Sequence, residues 1–239
     1  MARQTLGRWL SQNHPELDDP DAAIAAGLVR VDRIVRTNPA FPLRPGAAVA
    51  VEHDTSLRGE AKLRSAIERF GVSVADRVAL DVGAAAGGFT KVLLERGARR
   101  VYAVDAGHGQ LLGSLRQDVR VVNLEATNVA TLNMTLIPER IDVFSVDVSY
   151  LSLSSAVAQL NVLAIASDAD LIGLVKPMFE LRLGAPPDDP AELARALERA
   201  VAGVEAAGWR VEDTMDSTVL GARGAREMLL HAARNPGGP

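Results

Sequence analysis

Residues Val78–Glu95, VALDVGAAAGGFTKVLLE, constrain the fold of this chain more than any other stretch. The apolar run ending at Asp81 reads as a buried strand. Gly83, a cluster of small residues and the pair Gly87-Gly88 read as a tight turn, after which Phe89, Val92 and Leu93 recur at helical spacing. Strand, glycine turn and helix N-terminus in that order open a βαβ unit, and residues without side chains let a bulky ligand press against backbone. Nucleotide and flavin sites share such a turn, but two features narrow the choice. The turn lacks the Lys-Ser/Thr ending of a phosphate-binding loop, which argues against a triphosphate. About twenty residues on, the next apolar run, Val101-Tyr-Ala-Val, ends in Asp105, where a carboxylate can bond both hydroxyls of a ribose. The expected ligand therefore carries adenosine, as S-adenosylmethionine and the dinucleotides both do.

From Arg77 onward strand and helix alternate, the pattern of a mostly parallel, doubly wound α/β sheet. Strands are predicted at Val78–Val82, Arg100–Val104, Val119–Leu124, Ile141–Asp147 and Leu171–Lys176, and helices at Gly88–Arg96, Gln110–Gln117, Leu153–Ala166 and Ala191–Ala207. Leu193, Leu197, Val201 and Val204 give the last helix a buried stripe. Trp209–Asp213 and Glu227–Ala232 read as an antiparallel end to the sheet, and Asn235–Pro239 as a frayed tail. A helix over Leu57–Phe70, closed by Gly71, precedes the sheet, with Arg58 and Lys62 four residues apart on one side of it.

Residues 1–54 read as a small module of two short helices, around Leu6–Leu10 and Asp21–Ala26, and hairpin strands Leu28–Val31, Ile34–Val35 and Ala47–Val51. The domain plan is therefore 1–54, a main domain over 55–235, and a tail over 236–239. A chain of 239 residues with 48% hydrophobic and 23% charged content has room for this. No apolar run reaches membrane-spanning length, MARQTLGRW is not followed by a secretion-type apolar segment, and there is no cysteine, so a cytoplasmic protein without a membrane partner is expected. The four histidines lack metal-ligand spacing, so no metal is expected either.

Ligands of a doubly wound sheet lie beyond the C-terminal ends of its strands, where Asp81, Asp105, Asp147 and Lys176 stand. These residues sit in the motifs Asp81–Thr90, Val101–Asp105 with Gly109-Gln110-Leu111, Leu115–Asp118, Val146–Ser149, Leu174–Pro177 with Phe179-Glu180, and Arg226–Leu230. In this order they resemble the TlyA (hemolysin A)-like branch of the FtsJ-type methyltransferases over nearly the whole chain. The N-terminal module resembles the small alpha-L RNA-binding domain of that branch, best over Ala23–Val31 and Ile34-Val35. The resemblance implies a Rossmann-like fold, S-adenosyl-L-methionine as cofactor, and methylation of ribose 2′-hydroxyls in ribosomal RNA. It implies a Lys-Asp-Lys-Glu tetrad at Lys62, Asp147, Lys176 and Glu227. The implied cofactor set is Asp81, Gly83, Ala84, Gly87, Gly88, Phe89, Asp105, Ala106, Glu125 and Asp147.

Chemistry gives that tetrad a reason. A ribose hydroxyl is a poor nucleophile, so a neutral amine must take its proton. An ordinary lysine, with a pKa of about 10.4, is neutral only about one time in a thousand near neutral pH. A second lysine and partial burial both favour the neutral form, while neighbouring carboxylates oppose it and orient the amines. Lys176 is the expected base and Lys62 its partner.

The substrate side departs from the family pattern, mostly by losing positive charge. A Ser-Arg pair is replaced within Leu17–Asp21, and two arginines by Ala126 and Ala130 in Glu125–Ala130. A basic loop has become the acidic Leu181–Pro190, and Ser-Arg-Gly-Gly has become Leu57–Glu60. Together with a net charge of −4, these changes keep a second acceptor class open, a small hydroxyl- or amine-bearing metabolite in a pocket lined by Arg58, Tyr150, Phe179 and Arg182. A binding protein that keeps the fold without catalysis is the third reading.

Overall fold

A computed structural model describes residues 4–14, 19–25, 27–51, 58–221 and 224–234. Helices α1 (Leu6–Asn13) and α2 (Pro20–Ala25) pack on a small antiparallel sheet of order β2-β1-β3, made by β1 (Val29–Val31), β2 (Ile34–Val35) and β3 (Val49–Val51). Leu6, Leu10, Ile24, Val29, Val31 and Leu43 form its own core. The β1–β2 hairpin turns on two residues, Asp32 and Arg33, both at positive φ.

The large sheet has seven strands: β4 (Val78–Val82), β5 (Arg100–Val104), β6 (Val121–Leu124), β7 (Ile141–Val146), β8 (Ile165–Val175), β9 (Trp209–Asp216) and β10 (Met228–Arg234). Their order is β6-β5-β4-β7-β8-β10-β9. β4 to β8 run parallel, and β10 is antiparallel to both of its neighbours. Strand order reverses between β4 and β7, so the crevice for a ligand opens there. All of β4 is buried, as a central parallel strand covered on both faces should be.

Alternate residues of these strands feed two cores. On one face Leu80, Phe144 and Leu230 meet α6 (Leu153–Gln159) and α8 (Pro190–Ala206). On the other, Ala79, Val143 and Leu229 meet α3 (Arg58–Phe70) and α4 (Gly88–Glu95). The stripe on α8 is narrower than its leucines and valines suggest: Leu193, Ala196, Ala200 and Val204 are buried, while Leu197 and Val201 lie half out.

Several predicted boundaries move: β8 starts at Ile165 where Leu171 was expected, β6 starts at Val121 where Val119 was expected, and three further shifts have identifiable reasons. The helix expected from Gln110 begins at Gly113 (α5, Gly113–Gln117), because the Gln110 and Leu111 N–H groups donate to Glu125 Oε1 at 2.6 and 3.0 Å. The helix expected to reach Ala166 ends at Gln159 and a 3-10 turn, since Ile165 already pairs with Ile141. The strand predicted over Trp209–Asp213 continues to Asp216 because β10 offers it a partner along that whole length. Residues 52–57, which contain the expected boundary between the two parts, and the tail 236–239 lie outside the described residues, as do Leu17, Asp18 and the Arg58 side chain. Among the described residues no helix is long and apolar enough to cross a membrane.

Candidate active site

The turn after β4 is built on buried polar contacts. Asp81 is fully buried and accepts hydrogen bonds from Thr90 Oγ1 at 2.7 Å and Ser145 Oγ at 2.9 Å, which ties β4 to α4 and β7. Burial pushes its carboxyl up to about 7 against the pull of those two bonds. Asp81 thus braces the turn from inside and is not open to the crevice. Gly83, at φ +91°, lies so close to β7 that a Cβ would come 2.1 Å from the Asp147 carbonyl oxygen, and a Cβ on Gly87 would meet Leu115 and Leu111. At these two positions the protein itself presses on the glycines, where the sequence suggested a ligand. Ala84 and Phe89 belong to the core, Gly88 opens α4, and Ala106 is exposed.

Asp105, at the end of β5, accepts Ala85 N–H at 2.8 Å on one oxygen and Gly107 N–H at 2.6 Å on the other. A carboxylate has about four acceptor positions, so each oxygen keeps one for a further donor. A ribose diol matches that need, and the site fits the adenosine end of S-adenosylmethionine on this ground. Glu125 is already engaged: besides Gln110 and Leu111 it holds Arg116 and Asn123, each at 3.0 Å. Burial opposes its ionisation, but these bonds outweigh it and hold its carboxyl below the ordinary value. Glu125 therefore shapes the loop beside Asp105.

The four tetrad positions converge from four elements as two pairs. Lys62, in the second turn of α3, donates to Glu227, just ahead of β10, at 2.6 Å, and both side chains are buried. Lys176 directly follows β8 and precedes the short helix α7 (Pro177–Glu180). Its Nζ lies 2.5 Å from Asp147 Oδ1 and donates to Ser149 Oγ at 2.8 Å. Lys62, Lys176, Glu227 and Ser149 line one cavity of about 390 Å³, with Phe179 and Arg226 also on its wall. An ammonium has three donors, and two of those on Lys176 are used, so the third is available to a substrate oxygen. Tyr150 and Arg182, expected to line a pocket with Phe179, border a neighbouring cavity of about 310 Å³ that shares Phe179 and Met178.

Several contributors were not predicted. Ser149 lay inside a recognised motif, but nothing in its residue type announced a bond to Lys176. Glu180 is buried and receives the Leu153 N–H and the Ser154 hydroxyl, which fixes the start of α6 against α7. Gly221 leaves room for Glu227: a Cβ there would stand 2.2 Å from Glu227 Oε1.

A seven-stranded sheet with a carboxylate that keeps acceptor capacity at one strand end and this lysine-carboxylate set at others is the arrangement expected of an S-adenosylmethionine-dependent methyltransferase. The sequence profile of FtsJ-like methyltransferases matches residues 56–188. The chain is 39% identical to the Mycobacterium tuberculosis 16S/23S rRNA (cytidine-2'-O)-methyltransferase TlyA over 87% of its own length and 80% of that protein's. It is 32% identical to hemolysin A of Brachyspira hyodysenteriae over 87% and 90% of the two chains. A solved structure from Streptococcus thermophilus, described as a candidate hemolysin, superposes with a TM-score of 0.72 at 27% identity, covering 98% of this chain and 90% of that one. The chain belongs to the FtsJ-like methyltransferases, in their TlyA/hemolysin A branch.

Proposed function

We propose that this methyltransferase acts on a ribose 2′-hydroxyl of ribosomal RNA, with Lys62, Asp147, Lys176 and Glu227 as its working residues. The observation that carries the reading is Lys176, held by Asp147 and Ser149 at the wall of a cavity whose other wall is the Lys62–Glu227 pair. S-adenosylmethionine, when bound, supplies an electrophilic sulfonium methyl. Asp105 holds its ribose, and the turn braced by Asp81 carries the rest.

The chain's own part is to position the hydroxyl and remove its proton. Lys176 Nζ, in its neutral form, accepts that proton as the oxygen attacks, and Asp147 stabilises the ammonium that results. Ser149 fixes the direction of the amine. Lys62, held by Glu227, donates to the substrate oxygen and keeps it in line, a positioning effect of the kind that supplies up to roughly 7–11 kcal/mol when reacting atoms are well aligned. The small N-terminal unit, residues 1–54 on this reading, docks the RNA. Curated relatives named as rRNA cytidine-2'-O-methyltransferases support ribosomal RNA as the acceptor class.

The test is methyl transfer from labelled S-adenosylmethionine to unmodified ribosomal subunits, run beside a small-molecule extract of the source cells. Label at a ribose of ribosomal RNA is expected. Label confined to the extract would move the acceptor to a metabolite, and label in neither, with the cofactor bound, would overturn the reading.

A further inference from the structure

We propose that Arg33, at the tip of the β1–β2 hairpin, is a contact to a backbone phosphate of the RNA substrate, kept at a cost in stability in a groove between the small sheet and the large domain. Two observations carry this, one conformational and one spatial.

The hairpin turns on two residues at positive φ, Asp32 at +51° and Arg33 at +70°. Such turns favour Asn-Gly or Asp-Gly, since only glycine enters the left-handed region without a steric cost at the second position. Asp32 has a local return for its conformation: its carboxylate accepts the Ala48 N–H at 3.0 Å and faces Arg44 at 3.7 Å. Arg33 has none. It is exposed, and among the described residues its guanidinium has no hydrogen-bond or ion-pair partner. A strained residue that returns nothing to the described fold points to a use outside it.

The surroundings define that use. Arg33 lines a groove of about 600 Å³ together with Arg30, His108 and Gln110. Among the described residues no carboxylate lines it, although the chain as a whole is acidic at −4. Its far wall follows Asp105 by three residues, and the hairpin is pinned to that wall by Val35 N–H donating to Gly109 O at 3.1 Å. The groove is therefore fixed beside the cofactor strand. An anion is the matching occupant, and a polyanion that reaches the tetrad cavity at the same time is RNA. The inference rests on the ribosomal RNA reading above.

Binding of the full-length protein to unmodified ribosomal subunits across a salt series tests it, with melting temperature measured in parallel. Arg33→Gly should lower affinity about 3- to 10-fold near 0.1 M salt and flatten the slope of log K against log salt by about 0.7–0.9, the signature of one lost phosphate contact. It should also raise Tm by about 2–4 °C, because glycine relieves the left-handed conformation. Arg33→Lys should keep the slope, and Arg33→Asn, which tolerates positive φ without charge, should lose it. Cofactor affinity should not move in any of them. An unchanged slope in Arg33→Gly overturns the contact, and a lower Tm overturns the strain argument beneath it. If wild-type protein neither methylates the subunits nor binds them in a salt-dependent way, the ribosomal reading falls and this inference with it. If it does both while Arg33→Gly keeps its slope, only the groove assignment falls.

Discussion

Where β7 and β8 end, Lys176 bonds Asp147 and Ser149 beside an open cavity; near the other end of the same strands, Asp170 bonds Arg77 and His231 and closes on itself. The two clusters are alike in chemistry. In the second, Asp170 gives one oxygen to His231 at 2.8 Å and the other to Arg77 at 2.6 Å, Arg77 also serves the Ser73 and Asp168 carbonyls, and the His231 ring stacks on Phe70. Every strong group there is satisfied by protein. In the first, a lysine keeps one donor direction and borders unfilled volume. On the function proposed above, a charged cluster serves as machinery where a polar atom faces a cavity, and as structure where the protein has taken each one.

That contrast predicts opposite outcomes for mutations at the two ends, and the largest effect belongs to Lys176. Lys176→Ala should lower kcat by about 10²–10⁴, the range for loss of a general base, while leaving Tm nearly unchanged because Asp147 is partly exposed and can be hydrated. Single-turnover methyl transfer and a thermal melt on one preparation check both halves. Full activity would remove Lys176 from the mechanism.

Gly221 sharpens the comparison because, among the described residues, the nearest atoms that a side chain there would meet all belong to Glu227. Its backbone is not in the left-handed region, so alanine is acceptable to the chain, yet the added Cβ would meet the carboxylate that holds Lys62. Gly221→Ala should lower kcat by about 10–10² with KM for RNA little changed, as expected when a catalytic group is moved by about an ångström. Adding Glu227→Asp, whose shorter side chain clears the Cβ, should restore part of the loss. Absence of rescue would mean that the position of Glu227 does not govern the rate.

How much of this the sequence could disclose depended on what each residue answers to. The strand-end positions of Asp105, Asp147 and Lys176 were legible because each follows an apolar run, and strand ends in such a sheet are where a ligand is expected. The Lys62–Glu227 pair was not legible from spacing, since its members lie 165 residues apart and meet only when α3 packs beside β10. Family resemblance supplied those positions, and the fold supplied the pairing. Gly83 and Gly87 were legible as a turn, but the reason for them was not: what approaches them is Asp147, Leu111 and Leu115. Gly221 and Ser149 gave no signal, because their roles are set by neighbours in space. The early end of α6 and late start of α5 escaped for the same reason, a strand partner in one case and a carboxylate in the other.

Asp105 comes next in expected size. Asp105→Ala should raise the dissociation constant of S-adenosylmethionine about 10- to 100-fold, the effect of losing hydrogen bonds to a charged acceptor, with a smaller change in kcat once cofactor saturates. Calorimetric titration reads it directly, and unaltered affinity would refute the ribose assignment.

The smallest effect, and the one that tests the structural side of the comparison, belongs to Asp170→Asn. Burial opposes ionisation of Asp170, but the bonds from His231 and Arg77 outweigh it and hold its carboxyl below the ordinary value of 3.8. A carboxylate depressed in the folded state contributes stability above its unfolded pKa and loses that contribution as pH falls through the folded one. The wild type should therefore owe part of its stability at neutral pH to Asp170 and lose it below about pH 4. Asp170→Asn should cost about 1–2 kcal/mol at pH 7, discounted for the partial exposure of the cluster, and the gap should close on acidification. Methyl transfer should be unchanged throughout. If Asp170→Asn instead lowered kcat at constant stability, the two ends of the sheet would be coupled, and satisfaction by protein would no longer separate structure from machinery.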